Sequence, residues 1–113
     1  MNLLWHLDNA FEKAVEWCQR PEGYVKRIGY ALLARLVWRN KIGKEEMEVI
    51  IPLIIEGARD ERPYVYKAVA WLLKWLAKRR DLKDIAAKIL DEISSLGTTG
   101  SKFIIREARQ YLA

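Results

Sequence analysis

Apolar residues recur at three- and four-residue spacing along nearly the whole chain, and no stretch shows the two-residue alternation of a half-buried strand. That periodicity predicts an all-α protein. Breakers divide it into six helical segments: about Asn2–Gln19, Glu22–Asn40, Lys44–Gly57, Pro63–Arg80, Leu82–Ser95 and Ser101–Leu112. Pro21 and Gly23 separate the first two, and Gly43 precedes the third. Pro63 falls in a first turn, where a missing N–H costs nothing. Gly97 and Gly100 bracket a loop of small residues, after which Ser101 is expected to cap the last helix. The fourth segment carries the clearest stripe: Val65, Ala68, Val69, Leu72, Leu73 and Leu76 at helical spacing. The longest apolar stretch, Val49 to Ile55, is interrupted by Pro52 and is too short to cross a membrane.

The even-numbered segments repeat. Tyr24-Val25-Lys26-Arg27 aligns with Tyr64-Val65-Tyr66-Lys67, and Leu32, Leu33 and Leu36 align with Leu72, Leu73 and Leu76. Phe103-Ile104-Ile105-Arg106 continues the series, with Leu112 matching Leu73 and Leu33. Two helices per unit and a period near forty residues are what helical repeat arrays show. The prediction is a short right-handed α-solenoid of about six helices in three HEAT-like pairs. It forms one domain over 1–113, with repeats at about 1–40, 41–80 and 81–113. A plain six-helix bundle is the alternative.

Charge adds a second pattern. The chain carries a formal +5, but the odd segments total −6 and the even segments +11. From Arg62 to Arg80 there are six Lys or Arg and no acid. Alternate helices of a solenoid line opposite faces, so one face is expected to be basic and to suit a polyanion. Trp71 falls between Lys67 and Lys74 and off the leucine stripe, whereas Trp17, Trp38 and Trp75 are expected to pack. A hydrophobic fraction of 51% supplies a core. The single Cys18 cannot form an intrachain disulfide, and the N-terminus lacks the basic region of a secretory signal, so a reducing cytoplasm is expected. Abundant Lys, Arg and Glu beside scarce Gln and Asn hint at a thermophile. His6 is the only histidine, no Cys–His spacing suggests a metal, and no Gly-rich phosphate loop occurs. No metal and no cofactor is therefore expected.

These residues resemble a known family. Asp60-Glu61-Arg62 followed by Lys67-Ala68 and Trp71 is similar to the most recognisable stretch of the DNA alkylation repair family of HEAT-like repeat proteins (AlkD type). Tyr24 to Leu32 resembles the family's helix with a paired Lys/Arg-Arg, and Phe103 to Ala108 its terminal helix. The similarity spans most of this chain but about the C-terminal half of a full-length member. It implies duplex DNA as partner, held on a concave basic face, and in some members release of cationic alkylated bases without flipping them into a pocket. That chemistry uses two tryptophans and an aspartate around the lesion. Trp71 matches the second tryptophan, and Arg27 a DNA-contacting arginine. The helix bearing the first Trp and the Asp has no counterpart at the right position; Trp5 and Asp8 offer only a superficial substitute, on the wrong helix and at the wrong spacing.

The expected function is thus binding of duplex phosphates through Arg27, Lys67 and Arg106, one from each repeat, extended by Arg35, Lys74, Lys78 and Arg109. Candidate catalytic residues are Trp71 and Asp8. Two other readings stay open. One is an adaptor for an acidic protein. The other is an alkylpurine DNA glycosylase completed by self-association, as a homodimer or with a partner supplying an N-terminal half.

Overall fold

The computed structural model describes residues 9–112. Over that span the chain forms six helices and no strand: α1 Ala10–Cys18, α2 Gly23–Trp38, α3 Lys44–Arg59, α4 Pro63–Lys78, α5 Lys83–Ser94 and α6 Thr99–Arg109. The protein is all-α. The principal contacts run α2 to α4 and α4 to α6, with α1 behind α2 and α3 touching α4, α5 and α6. The even helices therefore lie side by side with α4 in the middle, and the odd helices back them.

The apolar stripe of α4 explains its central place. Val65, Val69, Leu72, Leu73 and Leu76 have no accessible surface, and Ala68 has little. The aligned leucines Leu32, Leu33 and Leu36 of α2 are buried as well. Each large aliphatic side chain withdrawn from water contributes about 1.5–3 kcal/mol, against about 0–1 kcal/mol for an exposed ion pair. The stripes, not the surface charges, hold the helices together. Tyr24 and Tyr64, which the sequence aligns, stack with ring centroids 4.8 Å apart and planes 7° from parallel.

Helix ends follow local chemistry, with two departures from the sequence expectation. First, α3 runs through Gly57 to Arg59 instead of stopping at the glycine. A Cβ at Gly57 would come within 2.5 Å of Val69 and 2.8 Å of the Tyr30 hydroxyl, so this glycine serves close packing. Second, the cap of α6 is Thr98, not Ser101. Thr98 Oγ1 accepts the Ser101 N–H at 3.0 Å and donates to the Ala58 carbonyl of α3 at 2.7 Å. Ser101 lies buried in the first turn, its hydroxyl donating back to the Thr98 carbonyl. Between α2 and α3, Asn40 takes the left-handed conformation (φ 60°) and Lys41 N–H reaches back to the Leu36 carbonyl, which closes α2 with a Schellman turn.

Two arginines tie the loops. Arg62, just before α4, donates to Asp60 from its backbone N–H, Nε and Nη2, and its Nη1 reaches the Pro21 carbonyl between α1 and α2. Arg79, just after α4, donates to both carboxylate oxygens of Asp81 and to the Ile42 carbonyl between α2 and α3. Each end of α4 is thereby bound to a loop at the corresponding end of the α1–α3 region.

Candidate nucleic-acid interface

On α2, Arg27, Arg35 and Trp38 are exposed; on α4, Lys67, Trp71 and Lys78; on α6, Arg106 and Arg109. Lys74 is half-buried. Within α2 and α4 these positions recur at three, four, eight or eleven residues, which returns them to one side of a helix whose other side carries the leucines. All seven expected cations lie on the even helices, away from the core.

Rings order them. Lys67 Nζ lies 5.9 Å and the Arg106 guanidinium 5.3 Å from the Phe103 ring, so a cation from α4 and one from α6 meet over one aromatic. Lys74 and Lys78 converge on Trp75 and Tyr111, with Lys78 Nζ 4.7 Å and 5.1 Å from the two centroids. Such contacts are worth about 0.5–1 kcal/mol each at exposed sites. That suffices to favour an orientation; Arg106 also stands 3.8 Å from the Glu107 carboxylate.

Trp71 stands between two clefts. One, of about 240 Å³ between α2 and α4, is lined by Arg35, Trp38, Trp71 and Trp75. The other, of about 410 Å³ between α4 and α6, is lined by Lys67, Ala70, Trp71, Lys74, Phe103, Glu107 and Tyr111. A shallow depression on α6 itself holds Lys102, Arg106 and Arg109. The structure thus brings Arg35 and Trp71 to one cleft, and Lys67, Lys74 and Trp71 to the next. Arg27 stands further toward the Tyr24–Tyr64 end of α2. Asp8, Trp5 and His6 lie outside the described residues.

Three features depart from the sequence reading. Trp38 is not a packing residue: it is 55% exposed, and its ring meets Trp75 at 6.2 Å and a 55° tilt. Its place as the last residue of α2, next to the C-cap Arg39, was the available signal. Glu107 was not singled out, yet its carboxylate borders the α4–α6 cleft; its spacing from Phe103 on α6 could have indicated this. Finally, Arg62 and Arg79 belong to the basic run but spend their donors on Asp60, Asp81 and loop carbonyls. The Arg62 guanidinium holds the Asp60 carboxyl below the usual carboxylate range, and Arg79 does the same to Asp81.

Elsewhere, Cys18 is buried as expected, and burial pushes its thiol up to about 12, so it stays protonated at neutral pH. Lys26 donates to the Cys18 carbonyl at 2.8 Å, which pins α1 to α2 and removes Lys26 from the exposed set. Among the described residues, no three of His, Cys, Asp and Glu gather closely enough to hold a metal ion. No helix there is long and apolar enough to cross a membrane.

Fold and site together define an all-helical protein whose cations and indoles collect on alternate helices. The chain belongs to the DNA alkylation repair enzyme family, whose model matches residues 2–112. Membership gives it a role related to DNA repair. No curated protein and no solved structure matches the chain at a significant level.

Proposed function

We propose that the protein binds duplex DNA along the exposed side of α2, α4 and α6, and that its three helix pairs are HEAT-like repeats presenting that side. Arg27, Arg35, Lys67, Lys74, Lys78, Arg106 and Arg109 contact phosphates. The observation that carries this reading is compositional and geometric at once: α2 and α4 contain no Asp or Glu, and apart from Lys26, which turns to α1, their cations stand off the buried leucine stripe. On an ordinary solvated helix, acids would intersperse with those bases. Neutralising phosphates releases condensed counterions, so affinity is electrostatic and nearly independent of sequence.

The test is a titration of the protein against a labelled duplex at two salt concentrations. Dissociation constants of about 10⁻⁴ to 10⁻⁶ M are expected near physiological salt, as for non-specific binders. Between about 50 and 200 mM salt, the loss should be about 10³-fold if six or so phosphates are neutralised. No detectable binding at the lower salt would replace this reading with an adaptor for an acidic protein.

A further inference from the structure

Two helix sides carry exposed apolar residues, and their charges are opposite. On the outer side of α2, Tyr24, Ile28 and Trp38 are 68%, 52% and 55% exposed, interleaved with exposed Arg27 and Arg35. On the outer side of α3, Val49 is 44% exposed and Pro52 is exposed beside it, among exposed Glu45, Glu48 and Glu56. Of the five large apolar side chains exposed among the described residues, four lie on these two helices. One apolar residue alone on a surface is ordinary, but a row of them along one helix side marks a contact.

The two sides also match in spacing. With about 3.6 residues per turn, Tyr24, Arg27, Ile28, Ala31, Arg35 and Trp38 fall within about 100° of the α2 circumference. Glu45, Glu48, Val49, Pro52, Glu56 and Arg59 repeat that arrangement on α3, each twenty-one residues after its α2 counterpart. Arg27 therefore answers to Glu48, Arg35 to Glu56, and Ile28 to Val49. On either helix these two like charges are eight residues apart, about 12 Å along the axis. Arg59 is the one cation in the α3 row. It pairs with Glu56 at 3.4 Å in the open, a contact weak enough to exchange.

Within one copy the rows cannot meet, because α2 and α3 pack through their other sides, where the Tyr30 hydroxyl donates to the Leu53 carbonyl. A symmetric contact of α2 on α2 would oppose arginines, and α3 on α3 would oppose glutamates. An unrelated acidic protein on α2 would leave the α3 row without a role. We infer that the outer side of α2 in one copy docks on the outer side of α3 in another. Arg27 and Arg35 then face Glu48 and Glu56 around an apolar strip of Ile28, Ala31, Val49 and Pro52. The two surfaces differ, so each copy keeps one of them free and association does not close at a dimer. One helix laid on one helix falls below the roughly 1,200 Å² of a standard interface, so the contact is weak and concentration-dependent. It needs no DNA. Since Arg27 and Arg35 also belong to the proposed phosphate contact, duplex and a second copy compete for α2.

The experiment is sedimentation velocity of the full chain without DNA, up to about 1 mM, where a contact of millimolar dissociation constant is still populated. The sedimentation coefficient is expected to rise with concentration past that of a dimer. Two double variants are measured alongside, Arg27→Glu with Arg35→Glu and Glu48→Arg with Glu56→Arg, each with thermal unfolding to establish folding. All four positions are exposed, so neither pair should unfold the protein. Like charges would then face each other, and each variant alone should associate at least about tenfold more weakly. The arginine reversals lower the net charge of +5 by four, which by amount alone would ease association, so a loss there reports place. Mixing the two variants should restore the larger species, because each new glutamate then faces a new arginine. Should a double variant not fold, the single changes Arg27→Glu and Glu48→Arg are measured and mixed in the same way. A parent that stays monomeric overturns the inference. So do association that stops at a dimer, reversals that change nothing, and variants that do not recover on mixing. Each of these leaves the phosphate reading standing, since no DNA is present.

Discussion

Asp60 and Arg62 show how a recognisable motif can owe its residues to architecture. Asp60 accepts three hydrogen bonds from Arg62, whose remaining nitrogen holds the Pro21 carbonyl across the chain. Replacing Asp60 by Asn leaves the arginine without its counter-charge. Water still reaches Arg62, which screens the pair, so the expected loss is small but measurable. The sign of the pH dependence follows from the lowered carboxyl. Its stabilisation is fully present above the ordinary carboxylate value of about 4 and is lost as pH falls through the lower value it has in the fold. Urea unfolding of the parent and Asp60→Asn should therefore differ at pH 7 and converge as the solution is acidified below about 4. A difference that persists unchanged in acid would show that the carboxylate's charge is not what holds the loop. At this scale the sequence was only partly legible. Trp71 could be placed off the apolar stripe by counting residues. That Arg62 and Arg79 turn to loop carbonyls 41 and 37 residues away along the chain could not, because no local pattern encodes which distant carbonyl a guanidinium reaches.

Helices were the most legible feature, since burial of a periodic stripe decides them and the stripe is written in the residues. The fourth segment is the clearest case: every residue expected on its apolar face is buried. Ends were less legible because two neighbouring groups can offer the same cap. Thr98 and Ser101 are both hydroxyl residues near the start of α6, and a tertiary contact decides between them. Thr98 Oγ1 donates to Ala58 of α3 while accepting the Ser101 N–H, and only Thr98 can do both. Thr98→Ala should lose the cap and the link together, at a cost of about 1–2 kcal/mol. Ser101→Ala should cost less, since its hydroxyl bonds only within its own turn. Thermal unfolding of the two variants checks the order, and an equal or reversed ranking would move the cap back to Ser101. The link bears on the proposed contact, because α6 carries Arg106 and Arg109 on its exposed side.

For the molecule as a whole, charge can act by place or by amount. Net charge alone attracts DNA to any basic protein. Sorting of charge between helices makes a sharper claim, because α2, α4 and α6 lie side by side while α1, α3 and α5 back them. Tyr24 and Tyr64, which align between units of the expected repeat, stack on one another. What the repeat could not reveal is how far side chains from adjacent helices share partners, as Lys67 and Arg106 share Phe103. Reversing Arg27, Lys67 or Arg106 to Glu changes the net charge by the same amount as reversing Lys13, Lys44 or Lys88. All six are exposed or nearly so, and none is placed in the core, so the folds should survive. If place governs, each reversal on the even helices should weaken duplex binding severalfold and flatten the dependence of log affinity on log salt by about one or more, since each phosphate contact contributes a slope of about 0.9. Each reversal on the odd helices should leave the salt slope near that of the parent. Anisotropy titrations of the six variants over a salt series measure both quantities. Equal weakening in the two sets would mean that only total charge attracts DNA, and the assignment of α2, α4 and α6 as the contacting side would fall with it.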